Sequence, residues 1–179
     1  MNMSRTRDTR ERLVVIGGDA AGMSAASQAR RLKGPDELEI VAFERGHFTS
    51  YSACGIPYWV GGDVTEPDQL IARTPEEHRA RDIDLRIRTE VMEIDVDRQR
   101  VRARDLESGA ESWTSYDKLV IATGARPIRP DMPGVDAPVC TGCRRSTTAR
   151  RSSTRWHTRV AAGRWWWAPG TSVWRWPRH

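Results

Sequence analysis

The sequence predicts an α/β fold in which a parallel sheet built on a βαβ unit is joined to an antiparallel β-meander. Three observations carry this. Short continuous apolar runs at Leu13-Val14-Val15-Ile16, Leu38–Phe43 (LEIVAF) and Lys118–Ala122 (KLVIA) read as strands buried on both faces. Between the first two lies Met23–Lys33 (MSAASQARRLK), rich in helix formers and stopped by Gly34-Pro35. Further on, Leu85–Arg104 alternates in places (LRIRT, VMEIDVD, RVRAR), the pattern of surface strands.

Taken in order, the first strand runs directly into the Gly-rich turn Gly17–Gly22, the helix follows, and the second strand closes at Glu44. That is a βαβ unit of about 30 residues. Thr74-Pro75-Glu76-Glu77 supplies an N-cap, a proline at the first helical position and a reciprocal Glu, so a short helix starts there. Lys118–Ala122 ends in Thr123-Gly124.

At 179 residues the chain has the length of about one domain and can bury a core. No run of 18 apolar residues is present, so no spanning helix and no membrane partner is expected. The polar start MNMSRTRDTRER lacks the apolar core of a signal peptide, which predicts a cytoplasmic protein. Three cysteines are too few for a disulfide scaffold. The net charge of +5 conceals two unlike parts. All 24 acidic residues lie at or before Asp136, whereas Ala137–His179 holds nine arginines, six of the eight tryptophans and no acid, lysine, leucine, isoleucine or phenylalanine.

The turn Gly17-Gly18-Asp19-Ala20-Ala21-Gly22 is the first chemical signal. Pyrophosphate binding at a helix N-terminus needs backbone N–H groups with no side chain in the way. Gly17 and Gly22 take the first and third glycine positions of G-x-G-x-x-G; Asp19 stands at the second, where an acid must point away from a phosphate. Gly-rich strand-to-helix turns also serve purely structural ends. Here Glu44 ends the next strand 22 residues past Gly22, where a carboxylate accepts from ribose hydroxyls. Strand, small-residue helix and acid together predict a dinucleotide site.

The second signal is Ser50-Tyr51-Ser52-Ala53-Cys54-Gly55-Ile56-Pro57-Tyr58. A lone cysteine is commonly a buried, inert residue. Cys54 instead precedes a helix start with Pro57 in its first turn, and a helix N-terminus stabilises a thiolate. The motif holds no second cysteine, so a reactive Cys54 requires an external thiol as its disulfide partner.

VVIGGDAAGMSAASQARR, FER, SxxxCGIPY, TPEE and YDKLVIATGARP occur in one order over Arg12–Pro138. Together they resemble the N-terminal FAD segment of the flavoprotein pyridine nucleotide-disulfide oxidoreductases, nearest to coenzyme A-disulfide reductase and its related NAD(P)H oxidases and persulfide reductases. The resemblance implies a Rossmann-like FAD-binding domain, with Gly17, Gly18, Ala20, Ala21 and Gly22 along the FAD pyrophosphate. It implies Glu44 at the adenosine ribose with Arg45 close by, the backbone of Val91 at the adenine, and Ala122, Thr123 and Gly124 at the strand end passing the flavin nucleotide. Cys54 would be the redox cysteine, forming a mixed disulfide with coenzyme A. Ser24, Gln28, Arg31 and Ser50 fall where this branch contacts coenzyme A, although Arg31 also reads as a solvated helix arginine. Ala53 and Asp82 depart from the pattern, standing where relatives can carry Asn and where a lysine would hold the coenzyme A phosphates. In the family NAD(P)H reduces the flavin, which passes electrons to the cysteine–thiol disulfide; in oxidase variants the cysteine cycles through a sulfenic acid. The expected partner is a small-molecule thiol or disulfide, with no metal and no nucleic acid, and a homodimer only for the full-length form. The alternative enzyme is an NAD(P)H oxidase, or a reductase of the same fold that passes electrons to an iron–sulfur protein without using Cys54.

These readings divide the chain into a flexible N-terminus (1–11), the first FAD-binding segment (12–138) and an irregular, disordered basic tail (139–179). Cys140 and Cys143 form a C-x-x-C, but His157 and His179 lie 22 apart, against the 3–5 of a zinc finger. Arginines interleaved with Trp165-Trp166-Trp167 would make a non-enzymatic module for single-stranded nucleic acid. A shifted reading frame explains the tail better. Tryptophan has the single codon TGG, and three in a row read one base over give GTG GTG, Val-Val. Arg164–His179 so shifted can read VVVGAGYIGLEMAEA, a strand, a complete G-x-G-x-x-G and a helix start, which is what the family would carry next as its NAD(P)H site. The expectation is a one-base shift close to Pro138, and a chain that as written is a truncated fragment with weak or no FAD retention and no NAD(P)H turnover.

Overall fold

A computed structural model of the chain describes residues 10–125, 131 and 133. The described residues fall into two compact units, 10–51 with 71–125, and 52–70 with 131 and 133. The predicted tail (139–179), with Cys140, Cys143, His157, His179 and the tryptophan run, lies outside the described residues, as do positions 1–9.

In the first unit, β1 (Glu11–Ile16), β2 (Leu38–Phe43), β3 (Ile83–Arg86) and β7 (Lys118–Ile121) form a parallel sheet in the order β3-β2-β1-β7. Helix α1 (Ala20–Leu32) makes the β1-to-β2 crossover. The meander is β4 (Thr89–Asp95), β5 (Arg100–Asp105) and β6 (Glu111–Ser115), antiparallel throughout. The continuous apolar runs have a plain cause. Leu13, Val15, Ile40 and Ala42 pack on one side with Met23 and Ala26 of α1, while Val14, Ile16, Val41 and Phe43 pack on the other with Val101, Ala103 and Tyr116. The inner strands are thus covered on both faces and need no polar positions.

The structure adjusts several expectations. Glu11, assigned to the flexible N-terminus, begins β1: it pairs with Leu38, and its carboxylate takes an ion pair from Lys33. Helix α1 starts at Ala20, three residues before the predicted Met23, directly after the N-cap Asp19. Leu85 lies not on a surface strand but in β3, the parallel edge strand, where Ile83 and Leu85 are fully buried and Asp84 and Arg86 are exposed. Lys118–Ala122 was expected to be buried; β7 is instead an edge strand whose outer side has no partner among the described residues, and Ile121 is 62% exposed. Strand β6 was not foreseen, because ESWTS has one large apolar residue and no alternation. The capped helix is present as α3 (Pro75–Arg79): Glu77 N donates to Thr74 Oγ1 at 3.3 Å and Thr74 N to Glu77 Oε2 at 2.7 Å.

The second unit holds a 3-10 turn (Ala53–Gly55), helix α2 (Ile56–Gly61) and a 3-10 turn (Pro67–Leu70). Pro57 sits in the first turn of α2, and the helix stops at Gly62, whose φ of 92° is open to glycine without strain. Gly55 packs so closely on buried Leu70 that a Cβ would come within 2.4 Å of its Cδ2.

Candidate functional site

In the first unit the strand order runs outward from β1 through β2 to β3, and β7 returns on the other flank of β1. The carboxyl ends of β1 and β7 therefore flank a topological switch point, where open parallel sheets bind ligands. The Gly-rich turn leaves β1 at this point and Ala122-Thr123-Gly124 leaves β7. Gly17 N donates to Phe43 O at 2.8 Å and Ala122 N to Ile16 O at 2.8 Å, which fixes both strand ends.

The glycines hold the turn closed. A Cβ on Gly22 would lie 1.8 Å from the Gly17 carbonyl oxygen, and one on Gly18 would lie 2.6 Å from Glu44 Cβ. Gly17 adopts φ 110° and sits against Ala122, whose carbonyl oxygen a Cβ would reach at 2.2 Å. With the helix drawn onto the strand, the N–H groups of Ala20, Ala21 and Gly22 form the first turn of α1, where a helix has no internal acceptors. The side chain of the N-cap residue Asp19 makes no capping bond; its Oδ1 accepts from Tyr51 N at 2.8 Å. The acid at the second glycine position thus points to a neighbouring loop. Its φ of −108° makes no demand for glycine there.

Glu44 at the end of β2 accepts from Gly18 N through Oε2 at 2.8 Å and from Gly46 N through Oε1 at 2.5 Å. A carboxylate offers about four lone-pair directions, so acceptor capacity remains for a diol. Arg45 forms an ion pair with Glu90 on β4 at 3.1 Å. Val91 follows Glu90, at the bulge that shifts the β4–β5 register between Val91 and Glu93. The structure therefore brings Gly17, Gly18, Gly22, Glu44 and Ala122 together, and ties the Arg45 end of β2 to the strand carrying Val91.

Ser24, Gln28 and Arg31 are exposed and spaced i, i+4, i+7, one stripe of α1. Arg31 donates to Gln28 Oε1 through Nε at 3.2 Å and Nη2 at 2.7 Å. Ser50 lies in a loop stitched to the turn: Ser50 N donates to Gly18 O at 3.2 Å, and the buried Thr49 Oγ1 donates to the same oxygen at 2.5 Å. Ser50 Oγ lies 2.9 Å from Nε2 of His78, a buried histidine that sequence reasoning missed. Burial and the charges of Arg73 and Arg81 hold this imidazole below its ordinary pKa, so it is neutral at pH 7. The one available signal was its position in the capped turn, facing inward after Thr74-Pro75-Glu76-Glu77. Asp82, noted for its departure, adopts φ 57° and accepts from Arg30 through its carbonyl.

Cys54 belongs to the second unit. It is exposed and reduced in the 3-10 turn preceding α2, with Ser52 Oγ 3.6 Å from Sγ. Among the described residues there is no cluster of metal-ligating side chains, and no helix is long and apolar enough to cross a membrane.

Comparison with known proteins agrees with this geometry. The family model for pyridine nucleotide-disulphide oxidoreductase matches residues 11–162. The NAD(P)H coenzyme A polysulfide/persulfide reductase of Pyrococcus horikoshii is 43% identical over 128 residues, 71% of this chain and 27% of that protein. An NADH oxidase of Enterococcus faecalis is 39% identical, over 70% of this chain and 28% of its own length. The solved structure of reduced Bacillus anthracis CoADR-RHD is 31% identical with a TM-score of 0.76, covering 83% of this chain and 27% of that one. The chain thus spans little more than a quarter of the relatives it matches. With most of its length inside the family model and its Gly-rich turn at the sheet's switch point, the chain belongs to the pyridine nucleotide-disulphide oxidoreductases.

Proposed function

We propose that this chain supplies the first FAD-binding segment of an NAD(P)H-dependent flavoprotein that reduces coenzyme A disulfide or persulfide through Cys54. One observation carries the reading: the glycine-closed turn and Glu44 meet at the switch point between β1 and β7. The residues there fit a dinucleotide. The first-turn N–H groups of Ala20, Ala21 and Gly22 would hold the pyrophosphate, Glu44 the ribose with Arg45 beside it, the Val91 backbone the adenine, and Ala122-Thr123-Gly124 the flavin nucleotide. FAD supplies the two-electron link between NAD(P)H and the disulfide.

Cys54 does the sulfur chemistry. Its thiolate attacks one sulfur of coenzyme A disulfide, forming a Cys54–coenzyme A disulfide and releasing coenzyme A thiolate. Two electrons then reopen that bond, regenerate the Cys54 thiolate and release the second coenzyme A. Ser24, Gln28, Arg31 and Ser50 are assigned to the coenzyme A moiety. Nicotinamide binding and dimerisation are assigned to the full-length cytoplasmic homodimer, and the tail to a one-base shift of frame.

The test uses the chain with Cys140 and Cys143 changed to serine. FAD titration is expected to show weak but saturable quenching of flavin fluorescence that Gly22→Ala abolishes. Incubation with coenzyme A disulfide is expected to add one coenzyme A mass, lost in Cys54→Ser. No flavin binding, or an adduct that survives Cys54→Ser, overturns the reading. A sulfenic acid formed at Cys54 in place of the adduct moves it to the oxidase chemistry named for the Enterococcus faecalis relative.

A further inference from the structure

We infer that His78 is a positioning residue that fixes the Ser50 hydroxyl as a hydrogen-bond donor toward the ligand. The inference rests on the assignment of Ser50 to coenzyme A. His78 is 1% exposed, and its Nδ1 has no partner among the described residues. Its other nitrogen, Nε2, lies 2.9 Å from Ser50 Oγ. A buried N–H without an acceptor is rarer than an under-used lone pair, so the ring proton belongs on Nε2. His78 therefore donates to Ser50 Oγ, and the hydroxyl's own proton is left to donate elsewhere.

Both partners are held for this contact. The Thr74–Glu77 capping box fixes the turn that presents His78, and Arg79 ties that turn to β3 by donating to Leu85 O at 2.9 and 3.2 Å. Ser50 sits at φ 49°, a left-handed conformation unusual for serine, pinned by its N–H on Gly18 O and by its carbonyl, which accepts from Ala72 N at 3.0 Å. Strained backbone held from several sides marks places where a side chain must be aimed. The neutral imidazole is maintained by burial and by Arg73 and Arg81, against the opposing charge of Glu77.

Two measurements on the full chain decide the matter. Nitrogen-15 NMR of the His78 ring at pH 7.5 is expected to show a protonated Nε2 and a bare Nδ1, with both shifts moving in Ser50→Ala. The opposite tautomer, or an imidazolium, overturns the inference. Calorimetric titration with coenzyme A is expected to weaken about 3- to 10-fold in Ser50→Ala and in His78→Phe. The double variant should be no weaker than either, and His78→Gln, which keeps an amide N–H, should bind like the parent. Loss in Ser50→Ala with none in His78→Phe overturns the His78 role and leaves the coenzyme A assignment standing. No binding by the parent chain overturns that assignment, and the tautomer still decides the contact between His78 and Ser50.

Discussion

Gly22→Ala is the sharpest perturbation of the turn. Alanine is the better helix former by up to about 1 kcal/mol, so propensity alone predicts stabilisation. Packing predicts the reverse. The new Cβ would lie 1.8 Å from Gly17 O, 3.0 Å from Gly17 C and 3.0 Å from Val15 Cγ1. An ordinary carbon–oxygen approach is about 3.3 Å, so a gap of roughly 1.5 Å must open between α1 and the end of β1. The obstacle is backbone, and Gly17 is held by its bond to Phe43 O, so no rotamer change relieves it. Moving α1 outward draws Met23 and Ala26 from the cluster they share with Val15 and Ile40. Overpacking of this kind costs about 1–3 kcal/mol before the loss of contacts, which leaves a net destabilisation of about 2 kcal/mol. For a chain of 179 residues that lowers Tm by roughly 4–8 °C. Gly34→Ala is the control, because nothing lies nearer its Cβ than Glu37 Oε2 at 3.9 Å. Thermal melts of the two variants should separate clearly. If they melt within about 2 °C of each other, the steric account of the turn is wrong.

Other consequences are as direct. Glu44→Gln keeps one acceptor oxygen where two N–H groups, those of Gly18 and Gly46, now bond; a loss of about 1–3 kcal/mol is expected in chemical denaturation, and an unchanged midpoint would refute the role given to the carboxylate. His78 is held below its ordinary pKa of about 6.5, so the unfolded chain takes up a proton at higher pH than the folded one. Its contribution is complete above about pH 6.5 and is lost as pH falls through the lower folded value, so Tm should fall between pH 6.5 and 5 more steeply in the parent than in His78→Gln. Equal slopes would sink that linkage. Resequencing through codons 130–180 should reveal one base whose correction restores GAGYIG and an open frame; a codon record without that frame disproves the shift.

What the sequence made legible was local chemistry. LVVI and LEIVAF announce doubly covered strands because each strand lies between α1 and the meander and has no solvent face. Thr74-Pro75-Glu76-Glu77 encodes its own cap within four residues, and the structure repeats it bond for bond. The glycine at 22 was legible because its requirement is steric and local, its Cβ meeting Gly17 O, whereas the close approach at Gly17 is to Ala122, far away in sequence. What was hidden depends on contacts distant in sequence. That β3 joins the parallel sheet is set by pairing with β2 more than forty residues earlier, which alternation alone does not reveal. Strand β6 is recruited by β5: Trp113 lies under Arg100, whose guanidinium carbon is 4.1 Å from the ring centroid, and ESWTS has little strand pattern of its own. His78 looked like one more polar residue of a charged segment, and only the tertiary structure buries it against Ser50.

Asp19 shows how a departure from a motif can be compensated. The second glycine of G-x-G-x-x-G lets backbone approach a pyrophosphate, and an acid there opposes the anion. Here φ at residue 19 is −108°, so a side chain costs no backbone strain, and Oδ1 is committed to Tyr51 N at 2.8 Å. Together with Thr49 and Ser50 on Gly18 O, this gives three bonds between the Gly-rich turn and the loop that leads in sequence to Cys54. Two effects of Asp19 therefore oppose each other: anchoring of the loop and repulsion of the pyrophosphate proposed for the turn. They separate on substitution. Asp19→Asn keeps the acceptor and removes the charge, so flavin affinity should rise while Tm falls less than in Asp19→Gly. Asp19→Gly restores the motif but loses a bond to a charged acceptor, worth about 1.5–3 kcal/mol, and should melt several degrees lower. If Asp19→Gly is as stable as the parent, the loop is not held by this carboxylate, and the acid at the second position is merely tolerated.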